Sequence, residues 1–335
     1  MASGSTRVGI VGASGYAGAI AAQLIERHPF FELAYVTARA EAGMALGDLH
    51  PRTRVERTLE AFDPDREVDA AIVGYPHGAA APTVAALRER GVRVIDLSAD
   101  FRLTDRATYA QWYGEHGAPE LFGTAVYGLP ELYRDALRTA DLVAGPGCYP
   151  TAALLGLVPL ARAGLIGDAV IIDAKSGVSG AGRGATDMTH FVSANEDLKP
   201  YKVAGHRHRP EIEQELAAAG ADRRVVFVPH LAPLSSGELD SCYVAAARET
   251  STAELHELFA GAYGGEPFVT VLDGRQPGVL EVRETNDCRI AVHYDERAGQ
   301  ILVFAAIDNL WKGTASQAVQ SLNLMFDRPE TEGLK

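Results

Sequence analysis

The residues best suited to covalent chemistry in this sequence are one cysteine and two histidines. Cys148 lies in the segment VAGPGCYPTAAL, after a Gly-Pro-Gly turn and before Pro150, a residue type favoured at the start of a helix. The positive end of that helix would lower the pKa of the thiol and supply a thiolate. The glycines beside Pro146 would admit a substrate carbonyl and expose amides able to hold an oxyanion. We predict that Cys148 is a nucleophile; the alternative is a small buried residue, the role expected of Cys242 and Cys288.

A proton acceptor for this chemistry is predicted in the segment GHRHRPEI. His206 and His208 stand two residues apart, just before Pro210, where we expect a helix to begin. A helix N-terminus disfavours a charged imidazole and leaves a neutral ring that can accept a proton. We assign His208 as the acid/base and His206 as a substrate or cofactor contact. A turn between the two would separate them, and a pair of surface histidines is the alternative interpretation.

An anionic substrate would need local cations, because the formal net charge of the chain is −13. Arg102, after a predicted strand, and Arg207, beside the histidines, are candidates for binding phosphate or carboxylate. The segment KSGVSG offers hydroxyl and amide donors, although it could also be a simple connector, and charge clusters are usually solvated. We expect the substrate contacts to include His206, Arg102, Ser176, Gly177, Arg207 and Glu211.

A dinucleotide site is predicted at the N-terminus, where residues 8–18 read VGIVGASGYAG. Gly12, Gly15 and Gly18 follow an apolar strand pattern and open a helix pattern, an arrangement that suits a pyrophosphate at a helix N-terminus. The spacing is G-x-x-G-x-x-G rather than G-x-G-x-x-G, so an ordinary strand-to-helix turn is the alternative. The next predicted strand ends in Thr37 and Arg39 instead of an acidic residue, which favours NADP over NAD.

Composition excludes several classes of protein. A chain of 335 residues that is 47% hydrophobic can bury the cores of two domains. The acidic balance makes a nucleic-acid partner improbable, and three separated cysteines without a CxxC pair argue for a reducing compartment. No apolar run approaches the roughly 20 residues that span a bilayer. We expect a cytoplasmic protein with no membrane association and, because its histidines lack ligand spacing, no metal.

The predicted strands and helices that must position these residues follow different patterns in the two halves of the chain. Short apolar runs alternate with helical patterns in the first half, which predicts βαβ units and a Rossmann-like parallel sheet. The second half has longer β-rich runs, which predict an α+β domain with a mixed, largely antiparallel sheet. We place an NADP-binding domain at residues 1–149 and a catalytic and oligomerisation domain at 150–312, with an amphipathic C-terminal helix in 313–335 returning to the first. The predicted helices include Tyr16–Arg27, Pro210–Ala219 and Thr252–Tyr263, the last preceded by the capping candidate Ser251.

The segments GPGCYPTAALLGLVP and GASGYAG resemble the N-acetyl-gamma-glutamyl-phosphate reductase family. That family belongs with the aspartate-semialdehyde dehydrogenases and is built like glyceraldehyde-3-phosphate dehydrogenase. Further matches are LSADFRL, KSGVSGAGR, AGHRHRPEIEQEL and DNLWKGTASQAVQSLNLMF, so the resemblance spans nearly the whole chain. The sequence departs from the family pattern at Gly145, where Asn is common before Pro-Gly-Cys, and at Tyr75, where a small apolar residue is usual.

The resemblance implies an NADPH-dependent enzyme of arginine biosynthesis that makes a semialdehyde through a thioester on Cys148. It also implies a homo-oligomer, a dimer or tetramer, with the sheet of the second domain as interface. The alternatives are a reductase of carrier-bound aminoadipyl phosphate or of aspartyl phosphate, and a non-catalytic NADP-binding sensor. The glycine turn and the resemblance together assign these cofactor contacts: Gly12, Ser14, Gly15, Tyr16, Ala17, Thr37, Arg39, Pro76, His77, Ser179, Gly180 and Asn309.

Overall fold

The computed structural model describes residues 5–335, which separate into two compact units. The first unit comprises the chain up to Pro146 together with Thr314–Lys335, and the second comprises Gly147–Gly313. The first unit thus ends three residues earlier than the predicted boundary at 149, and Cys148 lies in the second unit. Among the described residues, no helix is both long and apolar enough to cross a bilayer.

The first unit is built on a six-stranded sheet in which every neighbouring pair is parallel. Its order is β2-β1-β3-β4-β6-β5. This confirms the predicted Rossmann-like sheet. Strands β5 and β6 are only two and three residues long, too short to show a periodic pattern in the sequence. The strands are β1 (Thr6–Val11), β2 (Phe31–Thr37), β3 (Ala70–Val73), β4 (Arg93–Asp96), β5 (Val126–Tyr127) and β6 (Leu142–Ala144).

Helices connect these strands and shield the sheet from water. They are α1 (Tyr16–Glu26), α2 (Leu46–Leu49), α3 (Ala81–Glu89), α4 (Arg106–Tyr113) and α5 (Pro130–Arg138). Apolar side chains of the strands and of α3 form a core that includes Val11, Val73 and Leu87. Because both faces of a parallel sheet are covered, its strands are continuous apolar runs, as β3 (AAIV) is throughout.

The second unit is built on a seven-stranded mixed sheet of order β11-β12-β13-β10-β7-β9-β8. Four neighbouring pairs are antiparallel and two are parallel, which confirms the predicted architecture. Ser251 caps α9 by accepting a hydrogen bond from the amide of Glu254, as its sequence position predicted. The elements are α6 (Cys148–Arg162), β7 (Ile166–Gly177), α7 (Phe191–Ala194), β8 (Lys199–Pro200), α8 (Arg209–Ala218), β9 (Val225–Ala232), β10 (Glu238–Ala246), α9 (Thr252–Tyr263), β11 (Val269–Val271), β12 (Cys288–Asp295) and β13 (Gln300–Ile307).

Helix α6 covers one face of this sheet. It is apolar along almost its whole length and all but its two end residues are buried. Gly156 brings the helix close to β13, since a Cβ there would lie 3.1 Å from Val303 Cγ1. Side chains alternate along β10, so its even-numbered residues, including the buried Cys242 and Val244, form one face of the strand.

The chain ends in a helix that belongs to the first unit. A π-helical turn, Trp311–Ala315, leads into α10 (Ser316–Met325). Gln320 donates to Glu131 of α5 at 3.1 Å, and the guanidinium of Arg93 donates to the Met325 carbonyl. Helix α10 is therefore part of the first unit. All ten of its residues are buried, so its polar side chains are covered as well as its apolar ones.

Candidate functional site

The glycine-rich turn of the first unit has the shape that a bound dinucleotide requires. Gly12 has φ of +86°, and a Cβ on it would lie 3.0 Å from the backbone of Gly74. A Cβ on Gly18 would lie 2.4 Å from the Gly12 carbonyl oxygen, so only glycine lets α1 pack this closely on β1. A Cβ on Gly15 would meet only that same oxygen, at 3.7 Å. The glycines therefore have the separate roles in turn geometry and helix packing that the sequence predicted.

The start of α1 is suited to binding phosphate. Its N-cap residue, Gly15, provides no side-chain cap, and no acidic residue occupies the first turn. The residues at this end, Ser14–Ala17, are partly exposed. Amides at a helix N-terminus that no side chain satisfies can bind an anion, and the helix dipole strengthens the attraction. These residues fit the pyrophosphate of a dinucleotide.

The end of β2 supports the glycine turn. Thr37 is buried, and its carbonyl accepts hydrogen bonds from the amides of Gly12 (3.1 Å) and Ala13 (2.8 Å). Thr37 thus supports the glycine turn through its backbone. Arg39 is exposed, and its guanidinium carbon lies 4.4 Å from the centre of the Tyr75 ring. Tyr75, an unusual residue for the resembled family, is what positions this cation.

Two other predicted contacts of the first unit lie in different environments. Pro76 and His77 are exposed, and His77 Nδ1 accepts a hydrogen bond from the Ala99 amide at 2.8 Å. Arg102 is buried, and it donates to the carbonyls of Gly145 (2.7 Å) and Leu97 (2.9 Å). The Arg102 guanidinium therefore holds the backbone here, and its contact with substrate stays a prediction.

Gly145, the residue before the Pro-Gly-Cys motif, is held in place by hydrogen bonds at both its amide and its carbonyl. The Gly145 amide donates to the Asp96 carbonyl at 2.8 Å, while its own carbonyl accepts from Arg102. A Cβ at this position would lie 3.1 Å from that Asp96 oxygen. Gly145 therefore fits the closely packed backbone here, and an asparagine would require Asp96 or its neighbours to shift.

In the second unit, Cys148 is the first residue of α6 and Gly147 is its N-cap. The helix begins two residues earlier than Pro150, the predicted start. Cys148 is partly exposed, whereas Cys242 and Cys288 are buried in β10 and β12, as predicted. A Cβ on Gly313 would lie 2.7 Å from Cys148 Cβ, so the chain passes directly beside the sulfur-bearing residue.

The pKa of the Cys148 thiol is raised, whereas its position at a helix start predicted a lowered pKa. Burial raises its pKa, and the neighbouring carboxyl groups of Glu238 and, more weakly, Asp240 raise it further. A hydrogen bond from the Tyr149 backbone acts in the opposite direction but is a smaller effect. The sulfur is therefore held as a thiol in the ligand-free protein, and forming the thiolate requires a proton acceptor.

The two histidines lie together at the start of α6. Their ring centres are 4.7 Å apart, and each lies 5.8 Å from the ring centre of Tyr149. The His208 amide donates to His206 Nδ1 at 3.2 Å, so the turn joins the two residues instead of separating them. A Cβ on Gly147 would lie 2.5 Å from His208 Nε2, which places that nitrogen against the helix N-cap. His208 is thus adjacent to the residue before Cys148.

His206 is held neutral by its surroundings. Burial lowers its pKa to about 4, and the positive charges of Lys202 and Arg207 act in the same direction. The sequence predicted a neutral imidazole from the helix dipole, but burial is the main cause. Arg207 itself is exposed.

Glu211, a predicted substrate contact, is buried and accepts a hydrogen bond from the Gly147 amide at 2.9 Å. Its carboxylate therefore positions the backbone that carries the nucleophile, and its contact with substrate stays a prediction. The first turn of α8 is in this way tied to the first turn of α6.

The loop after β7 is tied to the end of β13. Asn309 accepts a hydrogen bond from the Gly237 amide at 2.8 Å and donates to the Ser179 hydroxyl at 3.1 Å. Ser176 is buried beside Glu238, while Gly180 is exposed. The Gly177 amide donates to the Gly237 carbonyl at 2.9 Å. This loop is therefore an ordered part of the site and not a free connector. Among the described residues, no cluster of side chains is suited to holding a metal ion.

One site residue was missed by sequence analysis. Glu238 is the first residue of β10, is fully buried and lies beside the Cys148 thiol. The available signal was two carboxylates, Glu238 and Asp240, in a strand whose other buried residues are small or apolar. Buried carboxylates are uncommon and favour a functional interpretation.

Comparison with known proteins places this site in a family. Residues 7–140 match the NAD binding domain of semialdehyde dehydrogenases, and residues 148–309 match their dimerisation domain. The chain is 48% identical to N-acetyl-gamma-glutamyl-phosphate reductase of Moorella thermoacetica, with 98% of each chain covered. It is 49% identical to the protein of that name from Halorhodospira halophila, covering 98% of this chain and 97% of the relative.

Solved structures share the fold at low identity. Aspartate semialdehyde dehydrogenase II from Vibrio cholerae, complexed with ASA, superimposes with a TM-score of 0.75 at 18% identity, covering 97% of this chain and 99% of the other. The aspartate semialdehyde dehydrogenase of Candida albicans, solved with NADP, gives a TM-score of 0.71 at 16% identity, with 96% and 99% covered.

Proposed function

We propose that this chain, which belongs to the N-acetyl-gamma-glutamyl-phosphate reductase family, reduces N-acetyl-L-glutamyl gamma-phosphate with NADPH. The products would be N-acetyl-L-glutamate semialdehyde and inorganic phosphate, in a step of arginine biosynthesis. The observation that carries the proposal is the partly exposed Cys148 at the first position of α6, with His208 against the adjacent Gly147. The identity to relatives of that name, spread over 98% of the chain, supports the choice of substrate.

Cys148 supplies the covalent step. Its sulfur attacks the gamma-carbonyl carbon, the bond from that carbon to the phosphate oxygen breaks, and a thioester remains on the enzyme. NADPH, when bound, supplies the hydride that reduces this thioester. The carbon–sulfur bond then breaks, the semialdehyde leaves and the sulfur is restored.

His208 is proposed as the acid/base that exchanges a proton with the oxygen of the collapsing hemithioacetal. Its ring is held beside the start of α6, at the Gly147 backbone. His206, neutral because it is buried, is proposed to contact the substrate. Glu211 positions the starts of α6 and α8 by accepting a hydrogen bond from the Gly147 amide.

For the cofactor, the amides at the start of α1 would hold the pyrophosphate and Arg39 would hold the 2′-phosphate. The exposed guanidinium of Arg39, which packs on the Tyr75 ring, supports NADPH over NADH, since an arginine recognises a phosphate by charge and by paired hydrogen bonds. Pro76, His77, Ser179, Gly180 and Asn309 are proposed as further cofactor contacts.

The protein is proposed to act as a cytoplasmic homo-oligomer, a dimer or tetramer. The second unit matches a dimerisation domain, and the face of its sheet opposite α6 exposes Ile171 and Val226, which are register neighbours on β7 and β9. Exposed apolar rows of this kind are typical of interfaces.

The substrate assignment is tested by NADP reduction in the presence of phosphate. N-acetylglutamate semialdehyde and aspartate semialdehyde are compared at equal concentrations. We expect kcat/KM at least about 100-fold higher for the acetylated substrate, because a site built for polar groups of one substrate rejects an analogue that leaves them unpaired. A preference for aspartate semialdehyde would replace the proposal with the related reductase. NADPH binding without turnover of either would contradict the proposal and favour the sensor or the reductase of a carrier-bound substrate.

The covalent step is tested by Cys148→Ser. The variant should bind NADPH with unchanged affinity and lose activity by a factor of about 10⁴ or more, because a serine hydroxyl is far less ionised and a poorer leaving group. Cys288→Ala, at a buried cysteine outside the site, is the matched control and should keep its activity. Retained turnover in Cys148→Ser contradicts the nucleophile.

A further inference from the structure

A carboxyl group lies beside the nucleophile and has no part in the reaction described above. Glu238 begins β10 and is paired in the sheet with Ser176 of β7 and Ile307 of β13. Because side chains alternate along a strand, Glu238 points to the same face as Cys242 and Val244, which is the face that α6 covers. Cys148 is the first residue of α6, so the sheet brings the start of this strand to the start of that helix.

The surroundings of Glu238 are unusual for a carboxyl group. The residue is fully buried, and neither carboxyl oxygen has a partner of good hydrogen-bond geometry. The Cys148 thiol and the Ser176 hydroxyl are nonetheless close enough to stabilise its ionised form. The other ionisable groups that act on this site are the carboxyls of Asp240, Asp308 and Asp173, the phenols of Tyr149 and Tyr201, and the ammonium group of Lys175. Lys175 acts on Asp240, and its ammonium nitrogen lies 2.6 Å from a carboxyl oxygen of Asp173. Of the two protic neighbours of Glu238, the Cys148 thiol is far more acidic than the Ser176 hydroxyl and is the one that can give the carboxylate a proton.

We propose that Glu238 is a catalytic residue that accepts the thiol proton of Cys148 as the sulfur attacks the substrate carbonyl. The S–H bond breaks, its electron pair remains on the sulfur to form the new bond to carbon, and the proton forms an O–H bond on the carboxylate. When the carbon–sulfur bond breaks later, the proton returns from Glu238 to the departing sulfur. This inference rests on the proposed function for the identity of the carbonyl, but the proton transfer belongs to the Cys148–Glu238 pair itself.

The acidities of the two groups suit this transfer. Burial raises the pKa of Glu238 to about 8, above that of an ordinary carboxyl. A base whose pKa lies near the working pH is both partly ionised and basic enough to take a proton from a thiol. The pKa of Cys148 is raised by the same burial and by the charge of Glu238, so the sulfur stays protonated until it attacks. His208 then remains available for the oxygen of the substrate, on the other side of Gly147.

The decisive variant is Glu238→Gln, which keeps the shape of the side chain and removes its charge. Two quantities should move in opposite directions. Without the neighbouring negative charge, the pH midpoint for iodoacetamide alkylation of Cys148 should fall by about one pH unit or more. Without the base, kcat/KM should nevertheless fall by about 100-fold or more. A group that only repels the thiolate would give faster alkylation together with higher activity, and that result overturns the proposal.

Asp240→Asn is the matched control. Asp240 lies two residues along the same face of β10, is equally buried, and affects Cys148 only as a more weakly acting charge. This variant should keep activity within about threefold and retain the pH dependence of the natural enzyme. A loss of activity equal to that of Glu238→Gln would mean that any buried carboxyl in this strand serves the fold, and the specific role would be rejected.

A measurement on the unaltered enzyme covers the case in which Glu238→Gln does not fold. Because the carboxylate is the active form, kcat/KM should rise with pH through an acidic limb near pH 8. The acyl phosphate is the substrate for this measurement, because in that direction His208 gives a proton to the substrate oxygen and contributes no acidic limb. An acidic limb near pH 6.5, the midpoint of an ordinary histidine, would then assign the thiol proton to a histidine and overturn the proposal. Alkylation is followed at Cys148 by peptide mass and needs no substrate. If the enzyme turned over neither semialdehyde, the proposed function would fail while the thiol–carboxyl coupling could still be measured.

Discussion

At the scale of single residues, burial decides the chemistry of this site more than residue type does. A cysteine at a helix start is expected to ionise easily. The Cys148 residue keeps some exposure to solvent, yet desolvation of its thiol and the neighbouring Glu238 carboxyl make that thiol less acidic. His206 and Glu211 are buried in the same way, one as a neutral ring and the other as an acceptor for the Gly147 amide. The helix dipole is worth up to about 2 kcal/mol, which desolvation of a buried charge readily exceeds.

The burial of His206 predicts a loss of stability in acid. Its pKa is about 4 in the folded protein and about 6.5 in the unfolded chain, so only the unfolded chain binds the proton between these values. Stability should therefore be intact above pH 6.5 and fall as the pH drops toward 4, by up to about 3 kcal/mol from this group. Urea unfolding at pH 7.5 and 4.5 measures the loss, which should be smaller in His206→Gln.

The control for this effect is His190→Gln, at a histidine exposed to solvent. It should lose as much stability between the two pH values as the natural protein does. Equal losses in the His206 and His190 variants would show that some other group dominates the acid sensitivity.

At the scale of elements, the three glycines of the β1–α1 turn have different roles. Gly12 and Gly18 are fixed by the fold, one by a left-handed backbone and the other by contact with the Gly12 carbonyl. Gly15 instead borders the space in front of the α1 amides. Stability and cofactor affinity should therefore respond separately to substitutions in this turn.

We expect Gly18→Ala to lower stability by about 1–3 kcal/mol, because its Cβ would meet backbone atoms that cannot move aside cheaply. Gly15→Ala should change stability by less than about 1 kcal/mol and still weaken NADPH binding, because its methyl group enters the phosphate site. Thermal unfolding and fluorescence titration with NADPH measure the two quantities. Similar stability losses in both variants would contradict this division of roles.

At the scale of the whole molecule, one face of the second sheet remains without a covering layer in the single chain. Tyr243, Ile171 and Val226 form a cross-strand row on it, and Val226 is 57% exposed. The opposite face is covered by α6. A second copy of the chain would bury this row without disturbing the nucleophile at the start of that helix.

Val226→Arg should therefore convert the oligomer to single chains of 35.7 kDa, because a charge would be buried at the interface without a partner. Light scattering after size exclusion measures the mass. Leu280→Arg, at a more exposed leucine outside this sheet, is the control and should leave the mass unchanged. An unchanged mass for Val226→Arg would reject this face as the interface.

Local patterns in the sequence determined the elements, the two types of sheet and the identities of the main chemical groups. Helix α9 has the predicted bounds, and the glycine turn joins a strand to a helix, as its pattern predicts. These features depend on neighbours in the chain, through backbone conformation and the alternation of apolar side chains, so a short stretch of sequence contains the information.

Only the tertiary structure decided which groups meet and how each is ionised. Arg102 and Glu211 are predicted from the sequence as substrate contacts, and only the fold shows that both hold backbone atoms. Glu238 lies ninety residues after Cys148 and reaches it only because α6 covers the face of β10. Burial and contact between distant segments are properties of the packed sheet and helix, and pKa values follow from them, which is why residue type and spacing alone did not reveal this pair.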